Sequence, residues 1–277
     1  MKIGIIGLGF VGGSMYKSFQ NKGLIPNNNL FGYDKFCLDK GTGKLEDMFN
    51  CNIIFLALPT KYNYKTGEYD KVPINETCEI LSKKNFNGVI VIKSTVEPET
   101  TDKLSDKFTN LQFIHNPEFL TAKTAYEDFH NQCHIVLGRG KTCNDENFNN
   151  LILFYKENYS DNISISSSLE SESMKIFCNC FYSVKIQFFN EIYLLCEKNK
   201  CNYNSVLNMM LKNNWINPMH TNVPGPDGKL SYGGLCFPKD TNALNMYMKK
   251  LNSPNKLLDS AIVERNEMRN DHDNCTK

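Results

Sequence analysis

A mixed α/β architecture, in which a doubly wound parallel sheet is followed by an all-α second half, follows from three observations. A glycine-rich loop lies between a short β-type run and a helical stretch at the start of the chain. Short apolar runs then alternate with helical stretches, the mark of βαβ units. Beyond residue 166 the alternation gives way to long helical periodicity, so two domains are expected, 1–166 and 167–277. A length of 277 residues accommodates both.

The run Lys2-Ile3-Gly4-Ile5-Ile6 leads into Gly7-Leu8-Gly9-Phe10-Val11-Gly12-Gly13, with helical sequence over 14–22. In that setting G-x-G-x-x-G reads as a dinucleotide loop of the Rossmann type. Gly7 makes the tight turn, Gly9 admits a diphosphate, and Gly12 allows close helix–strand packing. Phe10 and Val11 of the loop are expected to meet the cofactor with the glycines, and the phosphates then sit on the N-terminus of the helix that follows, where N–H groups and the dipole favour an anion. Residues 30–34 form the second strand candidate and end in Asp34, 25 residues after Gly9. An acid near that distance bonds the ribose 2′-hydroxyl and disfavours a 2′-phosphate, so NAD is expected over NADP. Lys35 works against that preference, and Asp34 alone also reads as a turn residue.

Further strand candidates are 53–58, 89–92, 111–115 and 134–137, with helical stretches at 74–84 and 99–108. Strand ends in such sheets line the ligand crevice. Pro59-Thr60, Ser94-Thr95 and Asn116-Pro117-Glu118 fall there. Each alone is ordinary turn sequence; together with the glycine loop they outline one crevice.

Residues 168–200 contain almost no helix breakers, and Leu169, Phe177, Phe181, Val184, Phe188, Ile192 and Leu195 recur at helical spacing. Residues 166–168 make an N-cap, with Glu170 and Glu172 in the first turn. Such a helix extends roughly 45 Å and is expected to bridge domains or build a subunit interface. Lys175 and Asn179, four residues apart, share a face. Helices over 203–213, 241–251 and 256–269 complete the chain, with a Pro/Gly loop over 220–232.

That loop leads into Gly233-Gly234-Leu235-Cys236-Phe237-Pro238-Lys239-Asp240. A proline that opens a helix puts Cys236 at the positive end of the helix dipole, with Lys239 close by. Both stabilise a thiolate, the nucleophilic form. Asp240, four residues on, is expected on the cysteine's side of the helix start. The octamer alone reads equally as a helix start with a buried cysteine.

Composition excludes several classes. Basic and acidic residues balance at 31 and 30, leaving no footprint for nucleic acid or an anionic membrane. No apolar run approaches a membrane span of ~18–20 residues. The start of the chain, interrupted by glycines, does not read as a signal peptide. Eleven irregularly spaced cysteines do not make a disulfide framework, so a cytoplasmic location is expected. Cys178-Asn179-Cys180 and the cluster His130, Cys133, His134 lack zinc spacing, and no metal is expected.

The ordered set of glycine loop, Lys93-Ser94-Thr95-Val96, Asn116-Pro117-Glu118-Phe119-Leu120, Glu172 with Lys175 and Asn179, Asn190-Glu191 and the cysteine octamer resembles the UDP-glucose/GDP-mannose dehydrogenase family along the whole chain. Within it the similarity is greatest to the sugar-nucleotide 6-dehydrogenases that act on UDP-glucose. The resemblance implies oxidation of a C6 alcohol to the carboxylate with two NAD. It implies that Cys236 holds the aldehyde as a thiohemiacetal and then a thioester, and that Lys175 and Asn179 stabilise the oxyanion. Glu118 and Asp240 would manage protons and water, Thr95 would position the water or cofactor, and Lys239 would lie near the nicotinamide. Phe119, Leu120, Tyr232 and Gly233 would line the sugar site, and Lys229 would meet the diphosphate. A homodimer through 168–200 is expected.

Three departures stand out. Ala122 replaces a second glutamate, and Lys123 follows it. Ser231 replaces a common glycine. The chain reads as a short form without the third, nucleotide-binding domain, and 34–52 is too short for an extra helix and strand. Two competing expectations remain: a β-hydroxyacid-type dehydrogenase making one NADH, and an inactive paralogue that binds NAD or a sugar nucleotide.

Overall fold

A computed structural model of the chain describes residues 1–37, 43–121, 123–269 and 271. Two compact units emerge: Met1–Thr60 with Asp70–Lys175, and Lys61–Tyr69 with Ile176–Lys277. The division thus falls later than 166/167, inside the long helix, and it transfers a short N-terminal segment to the second unit.

The strands are β1 (Ile3–Ile6), β2 (Leu30–Tyr33), β3 (Ile53–Leu56), β4 (Tyr62–Asn63), β5 (Glu68–Tyr69), β6 (Val89–Ile92), β7 (Gln112–His115), β8 (Ile135–Arg139) and β9 (Ile163–Ser167). All but β4 and β5 form the first unit's sheet, in the order β2-β1-β3-β6-β7-β8-β9. Every pairing in it is parallel except β7 with β8. The central strands are apolar on both faces because helices cover both. Ile3, Ile5, Ile53, Phe55, Val89 and Val91 point to one side, with Met15 and Phe19 of α1 (Phe10–Asn21), Phe129 of α4 (Ala125–His130) and Phe154 of α5 (Asp145–Asn158). The alternating set Ile6, Ile54, Leu56, Ile90 and Ile92 packs on Ile74, Cys78 and Leu81 of α2 (Val72–Lys83) and Leu104 of α3 (Thr100–Lys107). Each such side chain contributes about 1.5–3 kcal/mol on burial.

Helix α6 (Ser168–Asn199) starts in the first unit and continues into the second. Its start is capped reciprocally: Ser167 N and Oγ donate to Glu170 Oε2 at 2.8 and 2.7 Å, and Glu170 N donates to Ser167 Oγ at 3.2 Å. Helices α7 (Tyr203–Leu211), α8 (Phe237–Lys250) and α9 (Lys256–Met268) complete the second unit. One apolar cluster joins Ile176 and Cys180 to Ala243, Leu244, Leu258 and Ile262; another joins Phe189 and Cys196 to Tyr203 and Leu207. Phe177, Phe181, Phe188 and Leu195 of α6 are exposed. No helix among the described residues is long and apolar enough to cross a membrane.

Candidate functional site

In the first unit the sequence-derived roles of the glycines take physical form. Gly7 turns at φ +90°, and a Cβ there would lie 2.5 Å from the Ala57 carbonyl oxygen. A Cβ on Gly12 would stand 1.8 Å from the Gly7 carbonyl oxygen. Among the described residues nothing lies within 4 Å of a Cβ position on Gly9, and Gly9 caps α1 without a side-chain bond. The start of α1 is therefore open to an anion. A cavity of about 490 Å³ there is lined by Gly9, Phe10, Gly13, Ser14, Lys17 and Lys123, among others. Asp34 closes the loop from below: Oδ2 accepts from Leu8 N at 2.7 Å, while Oδ1 accepts from Phe36 N and Cys37 N at 2.9 and 3.1 Å. These features fit a dinucleotide.

Two strand-end clusters meet. Ser94 Oγ accepts from Leu58 N at 2.9 Å and donates to Leu58 O at 2.7 Å, and Thr60 Oγ1 donates to Thr95 O at 2.7 Å. Pro59 between them is exposed. The third cluster is anchored by Lys93, whose buried ammonium donates to Asn116 Oδ1 at 3.0 Å and to Pro117 O at 3.2 Å. Burial pushes Lys93 down to about 7; Glu118 opposes this and Lys175 adds to it. The anchored turn presents Glu118, whose Oε1 lies 3.2 Å from Lys175 Nζ and whose Oε2 accepts from Leu120 N at 2.6 Å. Lys175 also donates to the Glu118 carbonyl and sits 5.4 Å above the Phe119 ring. Glu118, Phe119, Leu120 and Lys175 are thus gathered in one place. Ala122 lies outside the described residues.

Glu172, expected in the first turn, lies just beyond it in α6. It is buried, with Oε1 accepting from Thr101 N and Oγ1 at 2.7 and 2.6 Å at the start of α3, and among the described residues its Oε2 has no partner. Burial pushes it up to about 7, against the Thr101 hydrogen bonds.

In the second unit Cys236 immediately precedes α8 and is exposed, with Pro238 in the first turn. The helix starts a turn earlier than the expected 241, which puts the cysteine at its positive end. Asp240 N donates to Cys236 O at 3.0 Å; Cys236 is exposed, whereas Asp240 is wholly buried. Asn179 Nδ2 donates to Asp240 Oδ2 at 2.6 Å, and Lys239 Nζ and the Tyr69 hydroxyl donate to Oδ1. Asp240 therefore stands as an acceptor within a buried polar cluster.

The loop before the cysteine is held by Arg265 of α9 and by Arg269 just beyond its end. Arg269 donates to the carbonyls of Leu230 and Ser231 and pairs with Asp227 and Asp271, and Arg265 donates to Tyr232 O. A Cβ on Gly233 would lie 2.4 Å from Arg269 Nη2, so the guanidinium would have to shift to admit one. Ser231 adopts a left-handed φ of +57°. Its N donates to Asn190 Oδ1 at 2.8 Å and its Oγ to Gln187 Oε1, bonds that hold a conformation unfavourable for a residue with Cβ. The Tyr232 side chain is interior, with its phenol pushed up to about 12 by burial, whereas Lys229 is exposed.

His130 pairs with Ser18 and His134 with Ser164, and no metal-holding group of His, Cys, Asp or Glu occurs among the described residues. Sequence reasoning overlooked Tyr69, Arg265, Arg269 and the anchoring role of Lys93. The available signal for Tyr69 was the turn-like Lys65-Thr66-Gly67 between two tyrosine-containing runs.

Residues 37–157 match the NAD binding domain of the UDP-glucose/GDP-mannose dehydrogenase family, and residues 169–268 match its central domain. The glycine loop precedes the first match, so its role rests on its own geometry. A UDP-glucose 6-dehydrogenase of Campylobacter jejuni is 31% identical, over 81% of this chain and 55% of its own length. One from Rhizobium meliloti is 27% identical, over 95% and 67%. The chain spans about half the length of the curated relatives it matches first. Among solved structures, a UDP-glucose dehydrogenase from Pyrobaculum islandicum shares the fold with TM-score 0.82 at 22% identity, over 96% of this chain and 68% of that one. So does the 3-hydroxyisobutyrate dehydrogenase of Mycobacterium tuberculosis, with TM-score 0.76 at 14% identity, over 98% and 94%. NAD is the cofactor that the matched domain and the open glycine loop fit. With both its NAD-binding and its central domain matched, the chain belongs to the UDP-glucose/GDP-mannose dehydrogenase family.

Proposed function

We propose that this chain carries the NAD-dependent oxidation of a nucleotide sugar's C6 alcohol to the carboxylate, with UDP-glucose to UDP-glucuronate as the reaction. The observation that carries the reading is an exposed cysteine at the start of a helix in a chain of this family. NAD supplies the hydride acceptor for both oxidations, held by Gly7, Gly9, Phe10, Val11, Gly12 and Asp34, with Pro59, Thr60, Ser94 and Thr95 at the strand ends and Lys239 at the nicotinamide end.

The first oxidation removes a hydride from C6 and a proton from its hydroxyl. The Cys236 sulfur then adds to the aldehyde carbon, giving a thiohemiacetal whose oxygen takes a proton. Loss of the second hydride and that proton leaves a thioester, which water opens to release the carboxylate and regenerate the thiol. Lys175 and Asn179 donate to the oxygen on C6 as it gains charge. Glu118, ion-paired to Lys175, takes and returns protons and aligns water with Thr95, and Asp240 assists. Phe119, Leu120, Tyr232 and Gly233 shape the sugar site, Tyr232 through its backbone, and Lys229 meets the diphosphate.

The exposed Phe177, Phe181, Phe188 and Leu195 form a dimer surface along α6. NADH formation with a panel of UDP- and GDP-sugars tests the reading; it fails if none of them yields NADH. The likeness to a 3-hydroxyisobutyrate dehydrogenase favours a second reading, oxidation of a β-hydroxyacid with one NADH, which needs no thiol.

A further inference from the structure

The segment Lys61–Tyr69 interrupts the sequence of the first unit but belongs to the second. It folds into the β4–β5 hairpin, with Tyr62 opposite Tyr69. Both tyrosines are buried with Ile176, Cys180, Ala243 and Leu244, and Glu68 pairs with Lys250. The hairpin is therefore firmly seated, and its last residue reaches the buried polar cluster.

There the Tyr69 hydroxyl donates to Asp240 Oδ1, Lys239 Nζ donates to the same oxygen, and Asn179 Nδ2 donates to Oδ2 at 2.6 Å. Lys239 Nζ also lies 4.3 Å above the Tyr69 ring. A carboxylate surrounded by three donors is an acceptor at both oxygens, so of the two ends of the Asn179 amide only Nδ2 can face it. One N–H of Nδ2 is thereby used, and the other is left in a fixed direction as a donor. The tyrosine holds one carboxylate oxygen while the asparagine is read by the other.

We propose that Tyr69 is a positioning residue: through Asp240 it fixes the amide of Asn179 in the orientation that lets it stabilise an oxyanion. The kinetic part of this inference rests on the proposed sugar-nucleotide oxidation; the amide orientation does not.

Tyr69→Phe removes the hydroxyl and keeps the ring beneath Lys239. Two readouts are taken on the folded variant. With UDP-glucose, kcat is expected to fall roughly tenfold or more, short of the ~10²–10³ loss typical of a deleted oxyanion donor, while KM for NAD stays within about twofold. In ¹⁵N-asparagine-labelled protein without substrate, the side-chain amide of Asn179, identified by its absence in Asn179→Ala, is expected to exchange its hydrogens faster than in wild type. A kcat within about twofold of wild type overturns the proposal, as does unchanged exchange at Asn179. Tyr64→Phe, on the same hairpin but exposed, is the control and is expected to leave both unchanged. If wild type reduces no NAD with any sugar nucleotide, the oxidation reading fails, and the exchange rate alone decides whether Tyr69 orients the amide. If Tyr69→Phe does not fold, Asp240→Asn replaces it in the exchange measurement; unchanged exchange then overturns the proposal, and faster exchange supports it.

Discussion

A Cβ on Gly12 would stand 1.8 Å from the carbonyl oxygen of Gly7, whereas one on Gly9 would meet no atom of the described residues within 4 Å. Two glycines of one motif therefore have separable reasons to exist. Gly12→Ala is expected to destabilise the first unit, since a backbone oxygen must move to admit the methyl. Gly9→Ala is expected to keep the wild-type thermal midpoint while weakening NAD binding about tenfold or more, roughly 1.4 kcal/mol, because the methyl fills the space over the open start of α1. Thermal unfolding and NAD titration by fluorescence read the two effects; equal behaviour of the variants would contradict the division of roles.

Cys236 is exposed at the start of α8, while Cys51, Cys78, Cys143 and Cys180 are buried and burial raises their thiols, the first two to about 12 and Cys143 to about 11. Iodoacetamide is expected to alkylate Cys236 well before any of these four, and mass spectrometry after short exposure resolves the order. Cys236→Ser is expected to abolish formation of the carboxylate product and to leave NAD affinity unchanged.

Lys175 and Glu118 form an ion pair with little solvent access. Lys175→Met leaves the Glu118 carboxylate in that site without its cation, and removing one partner of a buried pair costs about 3–5 kcal/mol. Glu118→Gln, which keeps a neutral acceptor for Leu120 N, is expected to cost less stability. Both are expected to lower kcat by about 10²-fold or more. Urea unfolding and steady-state kinetics separate the two effects.

Glu172 has its folded value raised to about 7 from an ordinary value near 4.5. Between those values the folded chain binds more protons at this site than the unfolded chain. Its contribution is fully present below about 4.5 and lost as pH rises through about 7. Relative to wild type, Glu172→Gln is therefore expected to gain stability from pH 5 to pH 8, measured as the difference in urea midpoints at each pH. A difference that does not change with pH would contradict the burial of this carboxyl.

The parallel sheet was legible because Val89–Ile92 and its neighbours are apolar on both faces and set between helices. The last strand, β9, was missed because Ile163 and Ile165 alternate with serines at a half-exposed edge. The four-residue spacing correctly put Cys236 and Asp240 at one helix start, but spacing says nothing about which side chain packs inward. Asp240 turns in because Tyr69, Lys239 and Asn179 await it there, and Tyr69 comes from a hairpin 171 residues away in sequence. Arg265 and Arg269, which hold the loop before Cys236, also lie more than 30 residues from the backbone they bind. Motifs made of neighbouring residues were readable; partners assembled by tertiary contact were not.

The central claim is that a thiol holds the aldehyde for a second oxidation, and the yield of NADH per UDP-glucose consumed tests it most directly. With UDP-glucose limiting and NAD in excess, the account requires two NADH for each sugar nucleotide, with UDP-glucuronate as the product. A single NADH per sugar, with an aldehyde or ketone accumulating, would contradict it.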